Sequence, residues 1–415
     1  MASLLSLLNR WRLIATGGPE VPKAPANELI RFGILGAANI APMALITPAR
    51  QHPEVIVSAV AARDRAKAEK YAKKHKIEHV FGSYQELLDS DVVDAVYVPL
   101  PNGLHLEWTV KALRAGKHVL LEKPSVSNER EARELFEGEV GALRGKGKEL
   151  VLLEAFHYRF QPAWALFLSL LDPPNIADVF VDMHLGNMFP PDDIRFNYGL
   201  AGGALMDLTY SMSVARGIFR SEPEECTSCE VQTMPPPYDT RCDHTYDATW
   251  KFPNGGTART RGTLKGSWVE HMKTRLPAVV EHRPVVISED KAKGEETLRT
   301  RKVTIVNFLM GMVWHRIDVE DTFVVRRKDG GEEVRRWTEK ESKKGYAWEE
   351  TGLGVDRKSE PYWLTYKYQL DAFVDRVKGR EGTGAWVSGE DSIGQMRMID
   401  MAYRKAGLPL RGVSE

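Results

Sequence analysis

Cysteine is scarce. Three occur in 415 residues, too few for a disulfide framework, and that scarcity suits a reducing compartment. Long apolar runs are missing too. No stretch reaches the roughly 18 consecutive apolar residues of a membrane-spanning helix, so none is expected. Neither charge predominates: 57 Lys and Arg face 57 Asp and Glu, without the basic excess that announces a nucleic-acid binder. Internal repeats and low-complexity tracts are absent. What is present is 43% hydrophobic and 27% charged, an ordinary globular composition. The length suggests roughly two to three domains. These features point to a cytoplasmic multidomain protein, most often an enzyme.

The first 18 residues, MASLLSLLNRWRLIATGG, carry Arg10 and Arg12 and no acid before Glu20. Such an amphipathic start reads as a mitochondrial transit peptide, or as a short helix lying on the protein or on a membrane. Residues 21–27 are proline-containing and read as a linker. From Arg31, apolar runs at 31–35, 55–61, 94–100, 118–122 and 150–156 alternate with helical stretches. One stretch opens with a capping box, Ser83 to Glu86, and another closes at Gly116. Continuous apolar strands between helices imply a parallel sheet covered on both faces. After about residue 160, alternating segments at 177–186, 230–234, 246–252, 257–264, 303–310 and 315–327 are joined by turns such as Pro253-Asn254-Gly255-Gly256. These imply an antiparallel sheet, and residues 362–379 and 392–407 have helical spacing. The expected fold class is α/β: a Rossmann doubly wound parallel sheet, then an α+β domain with a large open antiparallel sheet. The expected division is an extension and linker over 1–29, a dinucleotide domain over 30–157, and a substrate-binding and dimerisation domain over 158–411.

The first strand runs into Gly36-Ala37-Ala38-Asn39-Ile40-Ala41, followed by Pro42 in the first turn of a helix. The dinucleotide fingerprint has three glycines here. This chain keeps the first and places Ala38 and Ala41 at the others, a small intrusion where backbone approaches a pyrophosphate. A plain tight turn remains the alternative. At the end of the second strand, an acid would grip a ribose 2′-hydroxyl. Ala61-Ala62-Arg63-Asp64 stands there. Small residues followed by Arg63 favour a 2′-phosphate, hence NADP over NAD, with Asp64 as the counter-evidence.

Three further pieces fall at strand ends, where open α/β sheets bind ligands: Pro99-Leu100-Pro101-Asn102-Gly103-Leu104-His105, Glu122-Lys123-Pro124, and Glu154 to Phe160. Together they resemble the glucose-fructose oxidoreductase / inositol dehydrogenase family, Gfo/Idh/MocA, over about residues 30–410. The E-K-P triplet is the strongest marker. Gly202-Gly203-Ala204-Leu205-Met206-Asp207 is similar to the glycine-rich segment of the fungal-type NADP D-xylose dehydrogenases and the dimeric dihydrodiol dehydrogenases. The resemblance implies that Lys123 lies beside nicotinamide and substrate hydroxyl, where a cation stabilises developing alkoxide. It also implies a homodimer. In relatives, Asp is followed four residues later by Tyr or His as proton shuttle. Here Tyr210 comes three residues after Asp207, and Ser211 holds the usual slot. On a helix both share the face of Asp207, so Tyr210 is the expected acid/base, with Asp207 or a water relay as the alternative.

His105 is expected to order the cofactor loop, and Arg159 to contact cofactor or substrate or to form an ion pair. With Gly36, Ala38, Asn39, Ile40, Arg63, Leu100, Asn102, Glu122 and Lys123 they make up the expected cofactor contacts. Cys226, Cys229 and Cys242-Asp243-His244 have roughly zinc-like spacing. Residues three apart on a strand point to opposite faces, however, so these cysteines read as buried hydrophobes and no metal is expected. The expected activity is NADP-dependent hydride transfer at a CH–OH carbon of an aldose, D-xylose-like, or of a trans-dihydrodiol. Residues 189–198 would line the substrate path. The displaced tyrosine keeps a non-catalytic dinucleotide-binding regulator, acting through protein partners, as the alternative.

Overall fold

The computed structural model describes residues 4–147 and 149–412. Its first sheet contains six strands, β1 (Ile30–Leu35), β2 (Val55–Ala61), β3 (His79–Phe81), β4 (Ala95–Val98), β5 (His118–Leu121) and β6 (Leu152–Glu154). They run parallel in the order β3-β2-β1-β4-β5-β6. Phe32, Ile34, Val96, Val98, Val119 and Leu121 are fully buried, as continuous apolar strands require.

The second sheet has nine strands, β7 (Ile176–Gly186), β8 (Glu225–Thr233), β9 (Asp243–Lys251), β10 (Thr257–Gly266), β11 (Pro277–His282), β12 (Val285–Asp290), β13 (Glu295–Val306), β14 (Arg316–Arg327) and β15 (Glu333–Lys343). It differs from the expected antiparallel sheet in one pair: β7 and β10 run parallel. The strands β11, β12 and β15 carry no clear alternation in the sequence. β15 is exposed along most of its length, so no burial pattern marks it.

The helices used below are α1 (Leu4–Thr16), α2 (Arg65–His75), α3 (Tyr84–Asp89), α4 (His105–Arg114), α5 (Tyr210–Phe219), α6 (Trp268–Thr274), α7 (Thr365–Val377) and α8 (Gly389–Lys405). Among the described residues, no helix is long and apolar enough to cross a membrane. The helix α1 lies on the protein: Arg10 donates to Val313 O at 3.3 Å, and its guanidinium sits 3.8 Å from the Tyr346 ring centre. The capping box forms as expected. Ser83 Oγ accepts from Glu86 N, and the Glu86 carboxylate accepts from Ser83 Oγ and Gly82 N. From the far end of the chain, α7 returns to the first sheet, where Phe373 meets Phe32 at 5.4 Å.

Buried histidines couple this fold to pH. The Nε2 of His315 accepts from Gly345 N at 3.0 Å, so Nδ1 carries the proton, toward Gly311 O at 2.8 Å. Burial pushes its pKa down to about 4, from about 6.5 in an unfolded chain. Between those values the unfolded chain binds more protons, so stability rises with pH. His315 therefore contributes fully above about pH 6.5, and the contribution, roughly 3 kcal/mol, is lost as pH falls toward 4. Melting wild type and His315→Gln at pH 7 and pH 4.5 tests this. The variant should lose less Tm on acidification, and parallel losses would clear His315 of the effect.

Candidate active site

A cavity of about 700 Å³ opens at the carboxyl ends of β1, β2, β4 and β5, and the second sheet closes its other side. The cavity includes the first-strand turn. Gly36 has φ +101°, a conformation that side chains rarely adopt, and its N–H donates to Ala61 O at 2.7 Å. Ala38, Asn39 and Ile40 also line the wall, and the helix after them opens as a π-helical turn over Pro42–Ile46. The Tyr71 hydroxyl on α2 donates to Ala38 O at 3.1 Å and fixes the turn from behind.

At the end of β2, Ala62, Arg63, Asp64 and Lys67 face the same cavity. Asp64 is engaged as the N-cap of α2, accepting from Lys67 N at 3.1 Å. The Arg63 guanidinium lies beside the Tyr84 hydroxyl, another wall residue. Leu100 and Asn102 line the wall after β4, and Asn102 Nδ2 donates to Ala201 O at 3.0 Å, joining this loop to the glycine segment.

His105 does not reach the cavity. It is fully buried, with ring nitrogens 2.8 Å from Leu100 O and 2.9 Å from Pro124 O, so it packs between the loops after β4 and β5. A carbonyl only accepts, and burial keeps the ring neutral with its pKa down at about 4, so its one N–H donates to one of these carbonyls and the other nitrogen makes contact only. Its place is behind the cofactor loop rather than in contact with a ligand. Arg159 is also placed elsewhere. Its guanidinium pairs with Asp391 on α8, which Arg216 also reaches at 2.8 Å, so the ion pair takes the place of the expected ligand contact.

The charged centre follows β5. Lys123 Nζ donates to Asp207 O at 2.8 Å and to Asp207 Oδ1 at 3.2 Å. Asp207 Oδ2 accepts from Arg195 Nε at 3.0 Å, and Arg195 Nη1 donates to Asp193 Oδ1 at 3.0 Å. Burial alone would raise the Asp207 pKa, but Lys123 and Arg195 hold it below the usual carboxylate range. Beside it, Tyr97 donates to Glu122 Oε1 at 2.5 Å, and burial holds the Glu122 carboxyl above its usual range.

The helix expected to carry both Asp207 and Tyr210 is broken. A four-residue helix, Ala204–Asp207, stops at Leu208, and α5 begins at Tyr210. The two candidates for the shuttle position therefore diverge. Tyr210 lines the cavity, with Lys123 Nζ 5.1 Å from its ring centre. Ser211 is fully buried, its Oγ 2.5 Å from the Tyr246 hydroxyl on β9. Burial, then Tyr366 and Glu122, push the Tyr210 hydroxyl well above its ordinary pKa.

Gly203, at φ +137°, opens the short helix over a buried pair. Asp243 accepts from Leu205 N at 2.7 Å, from Tyr403 at 3.0 Å and from Arg411 at 2.9 Å. Arg411 also donates to Gly202 O at 2.6 Å. A Cβ on Gly203 would stand 2.3 Å from Asp243 Oδ1.

Among the wall residues that the sequence did not single out are Arg195, Tyr84 and Tyr366. Arg195 lies in the stretch noted as lining, but nothing local singles it out. Tyr84 follows the capping serine and reads as core. Tyr366, on α7, stacks on His157 with ring centres 3.9 Å apart, and comes from a segment read only as an amphipathic helix. Its neighbour His157 is neutral, pushed by burial to about 3.

The cysteines need one correction. The β8–β9 register shifts between Cys226 and Ser228, so Cys226 pairs with Trp250 and Cys229 with Ala248. Trp250 and Ala248 are two apart, which puts both cysteines on one face, because the bulge adds a residue. All three thiols are pushed by burial to about 12. Among the described residues, no group of three His, Cys, Asp or Glu is arranged to hold a metal.

Residues 30–142 match the Gfo/Idh/MocA profile, described as an oxidoreductase family with an NAD-binding Rossmann fold. A D-xylose 1-dehydrogenase (NADP(+)) of Haloferax volcanii is 37% identical over 273 residues, 65% of this chain and 80% of that protein. A trans-1,2-dihydrobenzene-1,2-diol dehydrogenase of Sus scrofa is 30% identical over 232 residues, 54% of this chain and 65% of that protein. Among solved structures, the 3-ketoreductase KijD10 of Actinomadura kijaniata, in complex with NADP and TDP-benzene, superposes with a TM-score of 0.65 at 23% identity, covering 91% of this chain and 98% of that one. The chain belongs to the Gfo/Idh/MocA family of oxidoreductases.

Proposed function

We propose that the protein is an NADP-dependent dehydrogenase acting at a CH–OH carbon of an aldose such as D-xylose or of a trans-dihydrodiol. One observation carries this reading: Lys123, Asp207 and Tyr210 share a single cavity with the Gly36 turn and Arg63. The names of the Haloferax and Sus scrofa relatives support the choice of substrate class.

The residues present fit the cofactor. The turn from Gly36 to Ile40 offers backbone N–H groups and little side-chain bulk for a pyrophosphate. Ala62 stands where a ribose-binding acid would, Asp64 is occupied as a cap, and Arg63 and Lys67 offer positive charge to a 2′-phosphate. Leu100, Asn102 and Glu122 continue the wall toward Lys123. When bound, the cofactor supplies the hydride acceptor or donor.

The remaining work falls to the chain. Lys123 is held by Asp207 with its ammonium over the Tyr210 ring, and stabilises charge developing on the substrate oxygen. Tyr210, kept protonated by burial, gives its proton to that oxygen in reduction and takes it back in oxidation. Arg195 fixes the other side of Asp207 and positions the 189–198 loop. Much of β15 is uncovered, and we assign that outer part of the second sheet to contact with a second copy.

Tyr210→Phe should lose roughly 10²–10⁴-fold in kcat with NADP affinity retained. Lys123→Met should lose a similar factor, and the double variant little more if the two act as a unit. Near-normal kcat in Tyr210→Phe would reduce Tyr210 to a packing residue.

Cofactor choice is tested separately by titrating NADP and NAD against wild type and Arg63→Ala. NADP affinity should fall about 10- to 100-fold, the effect of losing one charge-assisted hydrogen bond, and NAD affinity should hold. Equal losses would remove Arg63 from phosphate recognition.

A further inference from the structure

The approach to the cofactor end of the cavity carries a local excess of positive charge. Residues 63–76 hold seven Lys or Arg against two acids, in a chain whose formal net charge is zero. Both acids are already engaged: Asp64 caps α2, and Glu69 pairs with Arg65 at 3.0 Å. Lys67, Lys70, Lys73, Lys74 and Lys76 are all exposed, and none of them forms an ion pair with another described residue. On other helices a cation meets an acid four residues away, as Lys111 meets Glu107 at 2.5 Å and Arg133 meets Glu129 at 2.9 Å. Lys70 and Lys74 instead face each other at that spacing, a like-charged pair that costs helix stability.

These lysines lead away from the cavity. Lys67 lines its wall beside Arg63 and Asp64, and the Tyr71 hydroxyl on the same helix reaches Ala38 O in the first-strand turn. On an α-helix, residues three, four and seven apart share a face, so Lys70 and Lys74 continue the row that Lys67 begins. Neither of them lines the cavity. With a rise of about 1.5 Å per residue, they lie roughly 4.5 and 10.5 Å further along the axis. Ala68 and Ala72 are buried on another side of the helix, which leaves the lysine row to solvent.

We propose that the row of Lys70 and Lys74 guides NADP(H) into the cavity, drawing the phosphates of the incoming cofactor toward Lys67 and Arg63. This rests on the reading above that the cavity takes NADP, and adds how the cofactor arrives. NADP(H) brings a pyrophosphate and a 2′-phosphate, whose second pKa of about 6 leaves it close to doubly charged at neutral pH. A chain of zero net charge offers such an anion little attraction at long range, so the field at the entrance depends on where cations stand unpaired. A row of them along the path raises the rate of encounter, and salt weakens the effect. Guidance differs from grip. A side chain that touches the bound phosphate slows dissociation, whereas one that acts on the approach changes the association rate alone.

The test measures NADPH association and dissociation on the full chain by stopped-flow fluorescence, for wild type, for Lys70→Glu/Lys74→Glu and for a control, Lys291→Glu/Lys293→Glu. The control reverses two exposed lysines in the turn between β12 and β13, and so makes the same change in net charge. At about 10 mM ionic strength, where charges act over roughly 30 Å, the α2 variant should associate about tenfold more slowly than wild type, with dissociation within about twofold. At about 1 M, where that reach falls to roughly 3 Å, the difference should vanish. NADH, which lacks the 2′-phosphate, should be slowed less. An unchanged association rate at low salt would overturn guidance by α2. So would an equal loss in the control, which would trace the effect to net charge alone. A loss carried by faster dissociation would overturn it as well, by making these lysines contacts. Wild type that binds no NADPH would overturn the cofactor reading itself, whereas binding without a salt-dependent difference overturns this inference alone.

Discussion

A single carboxylate, Asp207, holds the centre of this protein. It lies between the Lys123 ammonium and the Arg195 guanidinium, in a place where burial alone would raise its pKa. Each partner belongs to a different piece of chain: Lys123 follows β5, Arg195 sits in the loop after β7, and Asp207 ends a four-residue helix. Without the carboxylate, two cations would face each other across a poorly hydrated space, an arrangement that costs several kcal/mol. The same carboxylate therefore fixes the direction of Lys123 and the shape of the loop that walls the substrate side.

Around that centre the chain shows a division of labour. Residues that touch the cavity are held by residues that do not. His105 packs between the two strand-end loops, Tyr71 braces the first-strand turn, and Ser211 bonds Tyr246 and so anchors the start of α5 next to Tyr210. The broken helix follows from the same economy of space. A continuous helix would carry Asp207 and residue 211 on one face, whereas the break at Leu208 turns Tyr210 inward and leaves a small serine to be buried.

What could be read in the sequence was local. The capping box owes its structure to neighbours within a few residues and forms as expected, and the first-strand turn and the E-K-P triplet are marked by local motifs although their partners Ala61, Tyr97 and Asp207 are distant. What was lost depended on distant pairing. Tyr366 reaches the cavity only because α7 returns to the first sheet, and an amphipathic pattern does not say which of Tyr362, Tyr366 and Tyr368 faces inward. The strand β15 leaves no alternation because most of it is exposed. Cys226 and Cys229 share a face only through a bulge that no residue type announces. Arg159 and His105 stood in strong motifs, but motifs do not distinguish a residue that touches a ligand from one that supports the loop doing so.

The Arg411 pair carries a consequence for how this protein comes into being. Arg411 is fully buried, and its guanidinium clasps Gly202 O and Asp243 directly behind the segment that leads to Asp207. The ties from Asn102, Lys123 and Arg195 come from residues translated earlier, whereas Asp243, which accepts from Leu205 N, is itself held by Tyr403 and Arg411 near the end of the chain. A nascent chain can thus complete its nucleotide-binding sheet long before the glycine segment gains its last support. Until Arg411 leaves the ribosome, Asp243 lacks the guanidinium that the finished chain sets against it, so the support behind the glycine segment is complete only near the end of synthesis.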